Sequence, residues 1–172
     1  LNLGACVSWS FRAAREYLTL KVGHTLQPLA PLWLYYNARA RFWPDQVSED
    51  TGLYMRDGVK ILAGSDLTAS HGRGFALEAD WPYAVAKFAV PPPAESYGPA
   101  KWYANVLAYR CETLGEALDV IAAGWPVAIG FTLRTNFWQA RGSGNVPMPQ
   151  GFVEGGHAVC ACGYATDAAW PG

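Results

Sequence analysis

Cys6 and His157 are the two residues whose chemistry and positions suggest a shared reaction. A turn of small residues, Gly4 and Ala5, places Cys6 at the first position of a predicted helix whose apolar face begins with Val7. The unpaired N–H groups and the positive dipole end of a helix N-terminus favour a thiolate over a thiol. A simpler interpretation is a buried cysteine that starts a core helix, since free cysteine is among the most buried residue types.

His157 begins a predicted strand directly after Gly155 and Gly156, a pair that permits close approach by another part of the chain. Alone, it would be interpreted as a structural histidine. Cys6 and His157, however, each start a regular element, and they lie in opposite halves of the chain. A cleft between two lobes would bring a thiol and an imidazole together as nucleophile and base.

Helices are predicted for the first half and strands for the second. The apolar spacing predicts a helix from Cys6, a second from Pro31 to before Pro44, and a third over 53–62 with its N-cap in the turn 48–52. The prolines at 91–93 form a stiff connector. Strands are predicted over 102–109, 127–133 (buried) and 155–164, with a helix over 114–123 capped by Thr113 and a loop over 141–151.

This order predicts an α+β fold in a single domain, with a helical lobe over about 1–93 and an antiparallel β lobe over about 94–172.

The 51% apolar composition indicates a globular chain. A net charge of −1 without a Lys/Arg cluster argues against nucleic acid as a partner, and the apolar runs are too short for a membrane span. Four cysteines are too few for a disulfide-stapled scaffold, which slightly favours a reducing compartment but leaves the localisation open.

Seven segments resemble, in order, those of the papain-like cysteine peptidases, and in detail their bacterial branch. They are NLGACVS at 2–8, LYYNAR at 34–39, DTG at 50–52 with MRDG at 55–58, WPY at 81–83, AGWPVAIGF at 123–131, NVPMP at 145–149, and GGHAV at 155–159 followed by GY at 163–164. The separation of Cys6 and His157 is also near the upper end of the roughly 130–150 residues between nucleophile and base in papain-type enzymes.

The resemblance implies a papain-like two-lobe fold with the active site in the cleft between the lobes. It implies Cys6 as nucleophile and His157 as general base, forming a thiolate–imidazolium pair that cleaves peptide bonds through an acyl-enzyme. The backbone N–H of Cys6 would donate to the oxyanion, and Gly52 and Gly156 would contact an extended peptide or protein substrate. This chemistry needs no cofactor and no metal.

The sequence also departs from the family pattern. Leu3 and Val7 replace a cysteine and an aromatic residue of the familiar signature, so the disulfide common in secreted members is absent. By the family spacing, the oxyanion glutamine falls just ahead of Leu1 and the asparagine that orients the histidine falls beyond Gly172. We therefore expect further chain on both sides, including a possible propeptide or flanking domains. Three other side chains could orient His157 but lie at the wrong spacing: Asn136, Asn145 and Asp167.

Three alternatives remain at this point. His157, Cys160, Cys162 and Cys111 could hold zinc, although strand alternation places His157 opposite Cys160 and Cys162. The chain could be a catalytically inactive papain-like binding or scaffold module. The same Cys–His chemistry could also serve transamidation or the hydrolysis of a non-protein amide.

Overall fold

The computed structural model describes residues 3–64, 73–104 and 107–165. Within them the chain forms five α-helices, five short 3₁₀ helices and one two-stranded antiparallel sheet. This is an α+β fold, as the sequence predicts. Asn2 of the first motif and Asp167 lie outside the described residues.

The first helix begins, and the second begins and ends, where the sequence predicts. Helix α1 spans Cys6–Lys21, and α2 spans Pro31–Phe42 with its proline in the first turn. Gly23 ends α1 in a left-handed conformation (φ +76). There the N–H of Gly23 donates to Leu20 O (2.9 Å) and the N–H of His24 to Thr19 O (3.1 Å). This pair of bonds is a Schellman motif, which needs the positive φ that glycine adopts at little cost.

The third helix begins later than predicted. Helix α3 spans Met55–Ala63, and its N-cap is the extended Tyr54 without a side-chain cap. The prediction of a start at residue 53, capped from the turn 48–52, was therefore wrong. The carboxylate of Asp50, which could have capped the helix, instead accepts hydrogen bonds from Gly4 and Tyr35. The Asp50 carboxylate therefore makes a tertiary contact and does not form the helix cap that the local pattern predicted.

The segment that follows the prolines at 91–93 is helical where a strand was predicted. Helix α4 (Tyr97–Ala100) runs into a 3₁₀ helix at Lys101–Tyr103, and 107–109 have no regular structure. The predicted strand over 102–109 was therefore wrong. Trp102, Leu107 and Tyr109 are exposed, so their aromatic and apolar character does not reflect burial in a sheet. The other 3₁₀ helices are Pro44–Gln46, Val85–Lys87, Ala94–Ser96 and Thr135–Ala140.

Helix α5 (Leu114–Ala122) has the predicted cap. The Thr113 hydroxyl accepts a hydrogen bond from the Glu116 N–H at 3.1 Å, and the Glu116 carboxylate accepts one from the Thr113 N–H. This capping box satisfies two N–H groups that a helix start leaves open. The loop predicted for 141–151 is also observed.

The sheet pairs β1 (Val127–Arg134) with β2 (Val153–Ala161). In β1 only Leu133 is buried, so the prediction of a buried strand was wrong. An apolar run alone could not show how much of the strand another layer covers. Strand β2 begins and ends earlier than the predicted 155–164, leaving Gly163 and Tyr164 outside the strand.

The core centres on α2, which buries Leu32, Trp33, Leu34 and Tyr35 completely. Helix α1 packs against α2 and α3 and also against both strands. Ala158 of β2 belongs to the same hydrophobic core as Ala5 and Val7. The helices and the sheet therefore share α1 as their common layer. None of the helices that the structure describes has the length and apolarity needed to cross a membrane.

Candidate active site

Cys6 is the first residue of α1 and follows the N-cap residue Ala5. The first turn closes with a hydrogen bond from the Trp9 N–H to Ala5 O (3.1 Å). No side chain caps this helix start, and its first turn carries no acidic residue. The thiol is free and half-buried. It thus lies at the positive end of a helix dipole, beside N–H groups that have no partner within the helix.

His157 lies in β2, opposite Phe131 of β1. Its ring is packed edge-on by Phe131 (centroids 5.6 Å apart, planes at 87°) and by Phe137 (5.5 Å, 67°). Burial lowers the pKa of His157 below its usual value. The neutral ring that results is the form that can accept a proton.

The structure brings the elements of Cys6 and His157 together, because α1 packs against β2. The residue after His157, Ala158, shares the hydrophobic core with Ala5 and Val7 on either side of Cys6. Among the described residues, no hydrogen bond joins the Cys6 thiol to the His157 ring. The packing therefore brings together the elements that carry the two residues, whereas a direct contact between the two groups stays a prediction.

Gly52 lies beside the turn that leads to Cys6. An added Cβ on Gly4 would be 3.0 Å from Gly52 Cα, so the two backbones are in close contact. Gly52 has a φ of +80, and its N–H donates to the Tyr35 hydroxyl at 3.1 Å. Because that N–H is engaged, a hydrogen bond between Gly52 and an extended peptide would have to use its carbonyl oxygen. Gly156 is exposed in β2 opposite Thr132, with open space where a Cβ would be.

Comparison with solved structures relates this arrangement to a known fold. The chain matches the crystal structure of xylellain, a cysteine protease from Xylella fastidiosa, with a TM-score of 0.75 and 23% identity. The match covers 92% of this chain and 62% of that one. The chain has a papain-like cysteine protease fold.

A sequence relative agrees with the papain-like fold. The chain is 29% identical, over 95% of its length, to an uncharacterized peptidase C1-like protein of Acanthamoeba polyphaga mimivirus. It spans about half the length (54%) of that relative. No family model matches the sequence. The name of this relative agrees with the fold match, and the solved structure shows a papain-like fold for the chain.

Asp50 and Tyr35 form a link beside the turn before Cys6 that the sequence did not predict. The Asp50 carboxylate accepts from the Gly4 N–H through both oxygens, at 3.0 and 2.9 Å. Tyr35, wholly buried on α2, donates its hydroxyl to the same carboxylate. The available signal was an acidic residue two positions before Gly52, and it was interpreted as a helix cap.

The other three cysteines are also free. Burial, together with the neighbouring Cys162, raises the pKa of Cys160 to about 11, so this residue is a thiol at neutral pH. Cys111 is half-buried and Cys162 is exposed. Within residues 3–64, 73–104 and 107–165, no three His, Cys, Asp or Glu side chains lie close enough together to hold a metal.

Proposed function

We propose that this chain carries the reactive centre of a cysteine endopeptidase, with Cys6 as nucleophile and His157 as general base. The observation that carries the proposal is that Cys6 starts the helix that packs against the strand of His157, in a papain-like fold. The xylellain and mimivirus comparisons support a cysteine peptidase, and the roles of the two side chains are our inference.

In the proposed reaction, the thiol proton of Cys6 passes to the neutral His157 ring and leaves a thiolate–imidazolium pair. The thiolate attacks the peptide carbonyl carbon, and the oxyanion accepts a hydrogen bond from the Cys6 N–H, which has no partner within the helix. His157 then protonates the leaving amine, giving an acyl-enzyme. Finally, His157 takes a proton from water as the water attacks the thioester, which releases the acid and restores the thiol.

One observation favours a second candidate, a catalytically inactive papain-like binding or scaffold module. Among the described residues, the Cys6 thiol and the His157 ring are not hydrogen-bonded to each other, whereas a nucleophile and its base work within hydrogen-bond reach. The two candidates differ in one measurable property, the reactivity of Cys6 toward a peptide electrophile.

The test is covalent labelling of the full natural chain by a peptidyl epoxide, with peptide mapping of the modified residue. We expect one equivalent on Cys6, lost in Cys6→Ala and retained in the matched variant Cys162→Ala, which removes the exposed thiol. His157→Ala should slow the labelling by orders of magnitude while the protein remains folded. Labelling at Cys162, or none at all in a folded protein, would favour the inactive module.

A further inference from the structure

The turn before Cys6 is held by a carboxylate from a distant part of the chain. Asp50 lies 46 positions from Gly4, and both of its oxygens accept from the Gly4 N–H, at 3.0 and 2.9 Å. Gly4 is two residues before Cys6, just outside the start of α1. Hydrogen bonds from an N–H to a carboxylate are stronger than those between neutral groups. The carboxylate therefore fixes the chain at the point where it enters the helix of Cys6.

The same carboxylate is linked to the Gly52 backbone through Tyr35. The Tyr35 hydroxyl donates to Asp50 and accepts from the Gly52 N–H at 3.1 Å. Burial and the hydrogen bond to Asp50 raise the pKa of Tyr35 well above its usual value, so the hydroxyl keeps its proton. A chain of hydrogen bonds thus joins Gly4 to Gly52 through Asp50 and Tyr35.

Steric contact reinforces this chain of bonds. A Cβ on Gly4 would be 3.0 Å from Asp50 Oδ1 and from Gly52 Cα. A side chain at position 4 would therefore require a shift of the neighbouring loop. The two backbone segments therefore lie at a separation that glycine at position 4 permits without a shift.

The loop that carries Asp50 is itself anchored. The wholly buried Arg39 donates to Val47 O (2.9 Å) and to Glu49 O (2.6 Å), immediately before Asp50. Its guanidinium also stacks on the Tyr35 ring, 4.0 Å from the centroid. Asp50 is consequently held on a braced loop even though its own side chain is at the surface.

We propose that Asp50 is a positioning residue that fixes the Gly4 turn, and with it the Cys6 thiol, against the Gly52 backbone. A peptide that bonds to the Gly52 segment would then meet the thiol in a single register. This inference rests on the proposed roles of Cys6 and Gly52. Misplacement by about 1 Å can cost on the order of 100-fold in rate, so the alignment of these segments would affect catalysis directly.

The test compares two reagents for Cys6 in the full natural chain, a peptidyl epoxide and iodoacetamide. The variants are Asp50→Ala, Asp50→Asn and the control Asp45→Ala, which removes an exposed carboxylate five residues earlier. In Asp50→Ala we expect the ratio of the peptidyl rate constant to the iodoacetamide rate constant to fall by about 10- to 100-fold. Asp50→Asn, which keeps one acceptor oxygen, should recover part of the loss, and Asp45→Ala should match the wild type.

Both rate constants are measured in variants shown to be folded by circular dichroism, and in a folded protein a purely structural role for Asp50 would leave their ratio unchanged. An unchanged ratio in a reactive protein would therefore overturn the proposal. If the wild type itself is not labelled by the peptidyl reagent, the proposed function fails, and amide hydrogen exchange tests the positioning on its own. Asp50→Ala should then speed exchange of the Gly4 N–H by about tenfold or more. Exchange equal to that of the wild type would overturn the positioning role.

Discussion

The environment of His157 controls its protonation, and this should be visible in the pH dependence of both activity and stability. Burial between Phe131 and Phe137 lowers the pKa of the ring in the folded state. Between that lowered pKa and the unfolded value of about 6.5, the unfolded chain binds more protons. The free energy of unfolding should therefore rise with pH across this window and fall as the solution is acidified through it.

Urea denaturation at a series of pH values measures this slope. We expect His157→Gln to reduce this slope. Under the proposed function, kcat/KM of the wild type should be bell-shaped in pH, with limbs that belong to the coupled Cys6–His157 pair. A slope that survives in His157→Gln would assign the effect to other groups.

Cys160 should be the slowest of the solvent-accessible thiols to react with a small electrophile. Its pKa of about 11 leaves on the order of 0.1% thiolate at pH 8. We expect mass spectrometry of an iodoacetamide time course to show Cys162 alkylated well before Cys160 at pH 8. The difference between the alkylation rates of Cys162 and Cys160 should narrow as the pH approaches 10. Equal rates at pH 8 would mean that burial does not protect the Cys160 thiol.

The sequence could place Cys6 at a helix start because every signal for that feature is local. Gly4 and Ala5 form the turn, and Val7 and Phe11 begin the apolar face. Asp50 could not be connected to Gly4 in the same way, since its bond spans 46 positions and resembles an ordinary helix cap from sequence alone. A close contact between Cys6 and His157 likewise depends on how the elements pack, which no local pattern determines.

At the scale of elements, α1 contains two buried serines that differ in one respect. The Ser10 hydroxyl donates to Val7 O at 2.9 Å, whereas the Ser8 hydroxyl has no hydrogen-bond partner among the described residues. Ser8→Ala should therefore raise the free energy of unfolding by about 1 kcal/mol, because it removes an unsatisfied buried hydroxyl and adds a better helix former.

Ser10→Ala is the matched control, since it gains the same helix propensity but loses a hydrogen bond. We expect Ser10→Ala to leave the free energy of unfolding, measured by urea denaturation, unchanged or lower. A Ser8→Ala variant that loses as much stability as Ser10→Ala would mean that the Ser8 hydroxyl has a partner in solution.

Arg39 connects α2 to two loops. Its guanidinium is wholly buried and donates to three backbone carbonyls outside its own helix, those of Val47, Glu49 and Phe88. Arg39→Met should lower the free energy of unfolding by about 3 kcal/mol or more, because three backbone carbonyls lose their donor and a wholly buried side chain is replaced. The control Arg110→Met, at an exposed ion pair with Glu112, should change it by less than about 0.5 kcal/mol. Thermal or urea denaturation measures both variants. Equal losses of stability in Arg39→Met and Arg110→Met would contradict the proposal that Arg39 holds the two loops against α2.

The strand predicted over 102–109 shows where element prediction fails in this chain. Trp102 and Tyr109 have high strand propensity, but both are exposed, and Lys101–Tyr103 continues the helical path of α4. Strand propensity mostly reflects packing on a sheet surface, and these residues have no such surface here. Helix α5, in contrast, was predicted correctly because Thr113 and Glu116 form a cap within four residues.

At the scale of the whole molecule, α1 belongs to both the helical layer and the sheet layer. It packs against α2, α3, β1 and β2, and Ala158 of β2 is 6% exposed within the common core. The helices and the sheet should therefore unfold together. Far-UV circular dichroism and tryptophan fluorescence should give coincident urea transitions.

Ala158→Leu tests this shared layer directly. Leucine would overpack the junction of β2 with the helical core, and we expect the free energy of unfolding to fall by about 1–3 kcal/mol with the two transitions still coincident. The control Val153→Leu, at the exposed end of the same strand, should change it by less than about 0.5 kcal/mol. Because His157 directly precedes Ala158, a displaced strand should also slow the reaction of Cys6 with a peptidyl epoxide under the proposed function. A variant that loses its sheet signal at lower urea than its helical signal would show instead that β1 and β2 fold apart from α1.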